Sequence, residues 1–160
     1  MSKKIIGKCG LYCGACDIYY ATIHPEYQEK LAKHLGCEEN ELNCKGCGQL
    51  TESCWGYNCG FATCCETHQV ESCRECSRFP CDLITAFAED ASLHHHTIIE
   101  NSIRIKNIGE DKWLEEQEKR WSCHHCGHPF RWYTSHCAYC GEAVYNCEDE
   151  DAERLIDEVS

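Results

Sequence analysis

Apolar positions recur at helical spacing in only a few stretches of this chain. Tyr27, Leu31 and Leu35 stand at i, i+4 and i+8 behind Pro25, with Gly36 placed as a stop, which predicts a helix from Pro25 to Leu35. Proline suits the first helical position because the missing N–H would have no partner there. A shorter helix is expected to begin at Asp17, with Cys16 near its N-terminus. From Leu83 the pattern becomes denser. Leu83, Ile84 and Phe87 predict one helix starting near Pro80-Cys81-Asp82. Ile98, Ile99, Ser102, Ile103 and Lys106 predict a second, with Ile105 falling off the stripe. Gly109 interrupts, and Glu110 to Trp121 reads as a third helix carrying Trp113, Gln117 and Trp121 along one face. Between residues 37 and 82 the periodicity disappears into Cys, Gly and polar residues. That stretch is too long for a structureless loop, so bound metals are expected to order it. Pro129–Thr134 and Glu142–Tyr145 read as the strands of a hairpin, and the acidic run after Cys147 as a solvated tail or frayed helix.

These elements define the expected fold class: a small, metal-stabilised, α-rich (α+β) protein with an irregular Cys-rich N-terminal region, short helices and a C-terminal β-hairpin zinc ribbon. The expected divisions are a Cys-rich metal-binding domain with a helical second half at 1–121, the zinc ribbon at 122–147 and the acidic tail at 148–160. The helical middle, 83–121, is expected to dock between the two cysteine regions. Its Phe87, Ile99, Ile103, Trp113 and Trp121 are too apolar to leave in water, at about 1.5–3 kcal/mol each when fully buried.

Composition sharpens the metal reading. Eighteen of 160 residues are cysteine, and the hydrophobic fraction of 42% includes them, so the aliphatic share is lean. Met1–Lys8 is basic but leads into no apolar export segment, and no apolar run approaches 18 residues. A cytoplasmic location is therefore expected, with no membrane association. In a reducing compartment, clustered cysteines imply metal or redox chemistry before disulfides. The net charge is −12, and four tetrathiolate zinc sites would take it to about −20. That opposes a phosphate backbone, so nucleic acid is not an expected partner and a protein partner is. Arg131, Trp132 and Tyr133 offer a small stacking face, although packing over a tiny core is the expected role of these aromatics.

The strongest motif is Cys123-His-His-Cys126-Gly, followed after nine further residues by Cys137-Ala-Tyr-Cys140-Gly. A CxxC turn aims two sulfurs at one point, and a second turn completes a tetrahedral thiolate site. The glycine after each pair permits a left-handed backbone, so that amides can point back at sulfur. One zinc is expected on Cys123, Cys126, Cys137 and Cys140.

Thirteen further cysteines lie between Cys9 and Cys81. Cys37, after a helix stop, is expected to be a plain buried thiol. The others suggest three tetrathiolate sites. Ligands are expected from Cys9, Cys13, Cys16, Cys44, Cys47, Cys54, Cys59, Cys64, Cys73, Cys76 and Cys81. The pairs Cys13/Cys16, Cys44/Cys47 and Cys73/Cys76 are each expected to be completed by single cysteines. Adjacent Cys64 and Cys65 do not easily serve one ion, which leaves one a spectator. His68 and His24 are alternative ligands but are expected to be ordinary surface histidines. Cys9-x3-Cys13-x2-Cys16 is also a spacing that can hold three irons of a [4Fe–4S] cluster, so iron–sulfur remains the alternative cofactor to several zinc ions here. A radical S-adenosylmethionine enzyme is not expected, because that chemistry needs a much longer barrel and usually an aromatic where Ala15 stands. His94-His95-His96 point in divergent directions and are read as a helix start or exposed face. No P-loop, GxGxxG, HExxH or serine nucleophile motif occurs, and no catalytic residue is assigned.

Cys9-Gly-Leu-Tyr-Cys13-Gly-Ala-Cys16, Cys44-Lys-Gly-Cys47 and Cys73-Arg-Glu-Cys76-Ser-Arg-Phe-Pro-Cys81 together resemble a cysteine-rich prokaryotic family, domain of unknown function 3795, over about residues 5–125. Some of its members also resemble this chain in carrying a terminal CxxC…CxxC ribbon after a Trp-rich helix. The resemblance implies a bacterial or archaeal metal-binding protein and supplies no activity. The function expected is a zinc-stabilised binding or adaptor module, more in keeping with a non-enzyme. The alternatives are an iron–sulfur redox protein and, least, a thiol–disulfide enzyme, for which the βαβ context is missing.

Overall fold

The computed structural model describes residues 5–47 and 50–160. Among them are seven α-helices: α1 (Asp17–Ile23), α2 (Pro25–Leu35), α3 (Gly60–Thr67), α4 (Asp82–Ala88), α5 (Ile98–Ile108), α6 (Glu110–Arg120) and α7 (Cys147–Val159). No β-strand forms among the described residues. Only isolated antiparallel bridges occur, at Ile6–Tyr12, Ser122–Pro129 and His136–Ala143.

This overturns the predicted α+β class and its C-terminal β-hairpin ribbon. The reason lies in where the backbone amides go. A hairpin between 129–134 and 142–145 needs those amides for its own ladder. Instead Phe130 N–H donates to Trp121 O (2.9 Å), Trp132 N–H to Ala15 O (3.2 Å) and Cys147 N–H to Trp132 O (2.9 Å). Pro129 has no N–H to give. The chain end is a helix. Asn146 caps α7 by accepting from Glu148 N–H (2.9 Å), and its own N–H donates to Asp149 Oδ2 (3.0 Å). Three acids in the first turn complement the helix dipole, and Cys147 and Asp151 face inward.

The opening loop, residues 5–16, is the hub. Ile6 packs with Ile105, Trp113 and Leu114 of α5 and α6. Cys9 joins Phe61, Ile84, Ala88 and Ile98, gathering α3, α4 and α5. Ala15 lies fully buried among Trp121, Phe130, Trp132 and Cys147. A fourth cluster, Ala21, Leu31, Ala32 and Leu42, holds α1 against α2. Gly10 makes the close approach possible. Its φ is +102°, and a Cβ there would lie 2.6 Å from both Ile98 O and Ser102 Oγ.

The buried face of α5 is Ile98, Ser102 and Ile105, while Ile103 is 47% exposed. The stripe predicted through Ile103 is therefore rotated, because small Ser102 and Asn101 are needed under the loop. Asn101 Nδ2 donates to Gly10 O (3.1 Å). The three consecutive histidines do diverge. His94 stacks on Trp132 (3.9 Å), His95 Nδ1 pairs with Asp90 (2.8 Å), and His96 Nδ1 pairs with Asp151 on α7 (2.6 Å). Arg131 pairs with Asp17 (2.6 Å) and lies over the rings of Tyr20 and Tyr27. Trp132 is buried and serves packing, whereas Tyr133 is 43% exposed. No helix among the described residues is long and apolar enough to cross a membrane.

Candidate metal centre

Two CxxCG turns of the same build face each other between α6 and α7. In the first, Cys123 N–H donates to His128 O and Gly127 N–H to Cys123 O, both at 2.8 Å. In the second, Cys137 N–H donates to Glu142 O (2.8 Å) and Gly141 N–H to Cys137 O (2.9 Å). The closing glycines sit at φ +79° and +80°, as the turn requires. The four sulfurs of Cys123, Cys126, Cys137 and Cys140 all lie within 4.8 Å of one another and can hold a metal ion. Cys123 and Cys140 are 3.6 Å apart, as are Cys126 and Cys137. Tetrahedral zinc with Zn–S of about 2.3 Å requires sulfurs about 3.8 Å apart. The match is close.

The local electrostatics favour thiolate. The amides of Cys140 and Tyr139 donate to Cys137 and, with neighbouring thiols, hold its pKa down to about 6. The His128 amide favours the Cys126 thiolate and the Glu142 amide that of Cys140. Burial and adjoining sulfurs nevertheless raise both, Cys140 to about 12. A divalent ion removes that conflict, because sulfurs that crowd one another as anions are each stabilised by the shared cation. His128 and Tyr139 stack across the two turns at 3.6 Å. His124 and His125, inside the first turn, are not members of the sulfur group. Cys147 is also separate. It is buried, and burial pushes its pKa up to about 12.

The N-terminal cysteines fall into two neighbourhoods. Neighbouring Cys47, burial, and Cys16 and Cys44 raise the Cys13 pKa. Cys54 lies beside Cys44 and accepts from Thr51 N–H at 3.4 Å. In the other neighbourhood, Cys64, Cys65, Cys73, Cys76 and Cys81 line one cavity with Phe61, His68, Val70, Phe79 and Leu83. Cys65 Sγ and Cys73 Sγ are 3.9 Å apart, and Cys64 Sγ is 3.6 Å from His68 Nδ1. Cys65, left out of the predicted ligands, is thus the buried partner of Cys73. The signal for it was the i, i+4 pair Phe61 and Cys65 on α3, a helix the sequence pattern did not show. Cys9 and Cys59 pack into the α3–α5 core beside Cys73 and Cys81. Burial pushes the Cys9 thiol up to about 12. Cys37 is half-buried beside Leu31 and Leu42. No disulfide joins any of the eighteen cysteines.

A small helical protein with a four-cysteine cluster able to hold a metal is the class that fold and site define. The chain belongs to the family described as Protein of unknown function (DUF3795), which matches residues 5–86. The match ends within α4, short of the 125 expected from the motifs, so the four-cysteine cluster lies beyond the shared region. No curated protein and no solved structure matches the chain.

Proposed function

We propose that this is a zinc-stabilised binding module whose partner is another protein. The observation that carries the reading is the convergence of Cys123, Cys126, Cys137 and Cys140, at separations that suit one tetrahedral zinc. The hairpin ladder that would otherwise order residues 122–146 does not form among these residues. An ion here would contribute about 10–16 kcal/mol of apparent folding free energy, as much as a whole domain's net stability. Zinc is favoured over a four-iron cluster because such a cluster spreads its thiolates over separate irons. In addition, Cys9 packs into the α3–α5 core with Phe61, Ile84, Ala88 and Ile98. A reducing cytoplasm would keep the thiols available.

Tyr139, 73% exposed at the tip of the second turn, and Ile156 and Val159 at the end of α7 offer apolar contact to a protein partner. The charge of −12 disfavours nucleic acid. Anaerobically purified protein should be colourless and carry zinc, and Cys123→Ser/Cys126→Ser should remove one ion per chain. Brown protein containing iron and sulfide, or an unchanged zinc count in that variant, would contradict the reading.

A further inference from the structure

We infer that the cavity between the opening loop and the helical turn at Cys73–Glu75 binds a small monocarboxylate, held by Ser72, Arg74 and Lys8. The cavity measures about 330 Å³. Lys8 of the loop lines it, with Glu71, Ser72 and Arg74 at the turn and Glu110 at the start of α6. Its size suits one small molecule rather than a segment of chain. It shares no residue with the four-cysteine group.

Two of its groups lack the partners that their burial calls for. Ser72 is 4% exposed, and its Oγ has no hydrogen-bond partner. A serine just before a helical turn ordinarily caps it, but this hydroxyl makes no capping bond to Cys73–Glu75. Arg74 is 8% exposed, and among the described residues its fork of N–H donors meets one acceptor, Glu110 Oε1. Buried polar groups are ordinarily satisfied, and an unmet one opposes folding. A site that spends stability in this way is built for something that supplies the acceptors.

A carboxylate supplies them. Its two oxygens accept paired bonds from a guanidinium and leave lone pairs for a hydroxyl. Lys8 Nζ donates to Glu71 O (2.9 Å) and has further N–H groups to offer. Charge then sets the class. Glu110 offsets Arg74, which leaves Lys8 to balance one negative charge, and the exposed Glu71 carboxylate opposes a second. A monocarboxylate is therefore favoured over a phosphate dianion. The frame is preformed: Cys73 N–H donates to Lys8 O (2.9 Å), fastening turn to loop, and Glu75 N–H donates to Ser72 O (3.1 Å), closing the turn.

Titration of the anaerobically purified chain with sodium acetate, followed by amide chemical shifts against sodium chloride at matched ionic strength, tests this. Saturable shifts are expected at Lys8, Ser72, Arg74 and Glu110, with inorganic phosphate binding more weakly. Ser72→Ala should weaken acetate several-fold while the free protein melts no lower, since the hydroxyl removed has no partner to lose. Lys8→Gln should weaken acetate about tenfold, the worth of one charge-assisted hydrogen bond. Shifts that rise without saturating, the mark of a cavity that holds only water, overturn the site. Phosphate binding more tightly than acetate overturns the class of ligand. Acetate binding unchanged in both variants, or a lower melting temperature for free Ser72→Ala, overturns the assignment of the donors.

Discussion

The two cysteine-rich ends of this protein use sulfur differently. At 123–140 the four sulfurs converge on one point, each turn is closed by its own backbone bonds, and the surrounding side chains are mostly solvent-facing. Between Cys9 and Cys81 several cysteines instead behave as small apolar residues. Cys9, Cys59, Cys73 and Cys81 pack with Phe61, Ile84 and Ile98, and α1 and α2 enclose a cluster of their own. The first region has a sulfur cluster able to hold a metal in place of an apolar core, whereas the second has a side-chain core. The contrast shows that cysteine count alone does not measure metal dependence. What matters is whether a segment's apolar burial can order it without the ion.

The largest effect expected is from metal removal. A strong chelator should unfold residues 122–146 and free α7, since about 10–16 kcal/mol of apparent folding free energy is withdrawn there. The α1–α2 cluster should resist longer. Peptide-resolved hydrogen exchange before and after chelation checks the order, and simultaneous loss of protection throughout the chain would erase the contrast.

Next comes the side-chain core. Trp113 is 1% exposed under Ile6 and Tyr12, so Trp113→Ala should cost about 3–5 kcal/mol without loss of the ion at 123–140. A fall in zinc content in step with the fall in melting temperature would mean that the two regions are not energetically distinct.

A smaller loss should follow Gly10→Ala, which places a methyl 2.6 Å from Ile98 O at a positive φ. About 1–3 kcal/mol is expected from backbone strain of this kind, read as a lower melting temperature. A variant as stable as wild type would show that the opening loop does not depend on its seat on α5.

The smallest effect is a pH dependence at the junction with α7. Burial, with His95 nearby, holds the His94 pKa down to about 4 where it stacks on Trp132. The unfolded chain, titrating near 6.5, binds the proton first, so this contribution is complete above about pH 6.5 and is lost as pH falls toward 4. His96 acts in the opposite sense. Burial alone would lower its pKa, but hydrogen bonds with Asp151 and the Asp90 carbonyl raise it, so its contribution is full below about 6.5 and fades as pH rises. His94→Phe should flatten the acid side of the melting-temperature profile by a few degrees relative to wild type. An identical acid limb would contradict the assignment.

Much of the helical scaffold was legible in local punctuation. Pro25 and Gly36 bracket α2, Asp82 opens α4, and Gly109 separates α5 from α6. What escaped depends on distant partners. Helix α3 has only Phe61 and Cys65 as its inward face, too little for a periodic signal. Helix α7 reads as a solvated acidic run until His96 is found beside Asp151. The hairpin failed because Ala15, more than a hundred residues away, takes the Trp132 amide. For the candidate site, the CxxCG spacing predicted the 123–140 group by itself. The seating of Cys44 against α1 follows from the Thr22 anchor and the α1–α2 packing, which no local spacing encodes.

The account turns on four sulfurs holding one zinc at the C-terminal turns. Zinc-edge X-ray absorption on the anaerobically purified protein, with and without Cys123→Ser/Cys126→Ser, tests that claim. The predicted result is a shell of four sulfurs at about 2.3 Å, present in wild type and lost from the 123–140 turns in the Cys123→Ser/Cys126→Ser variant. A shell dominated by nitrogen or oxygen, or a signal that survives those substitutions unchanged, would contradict it.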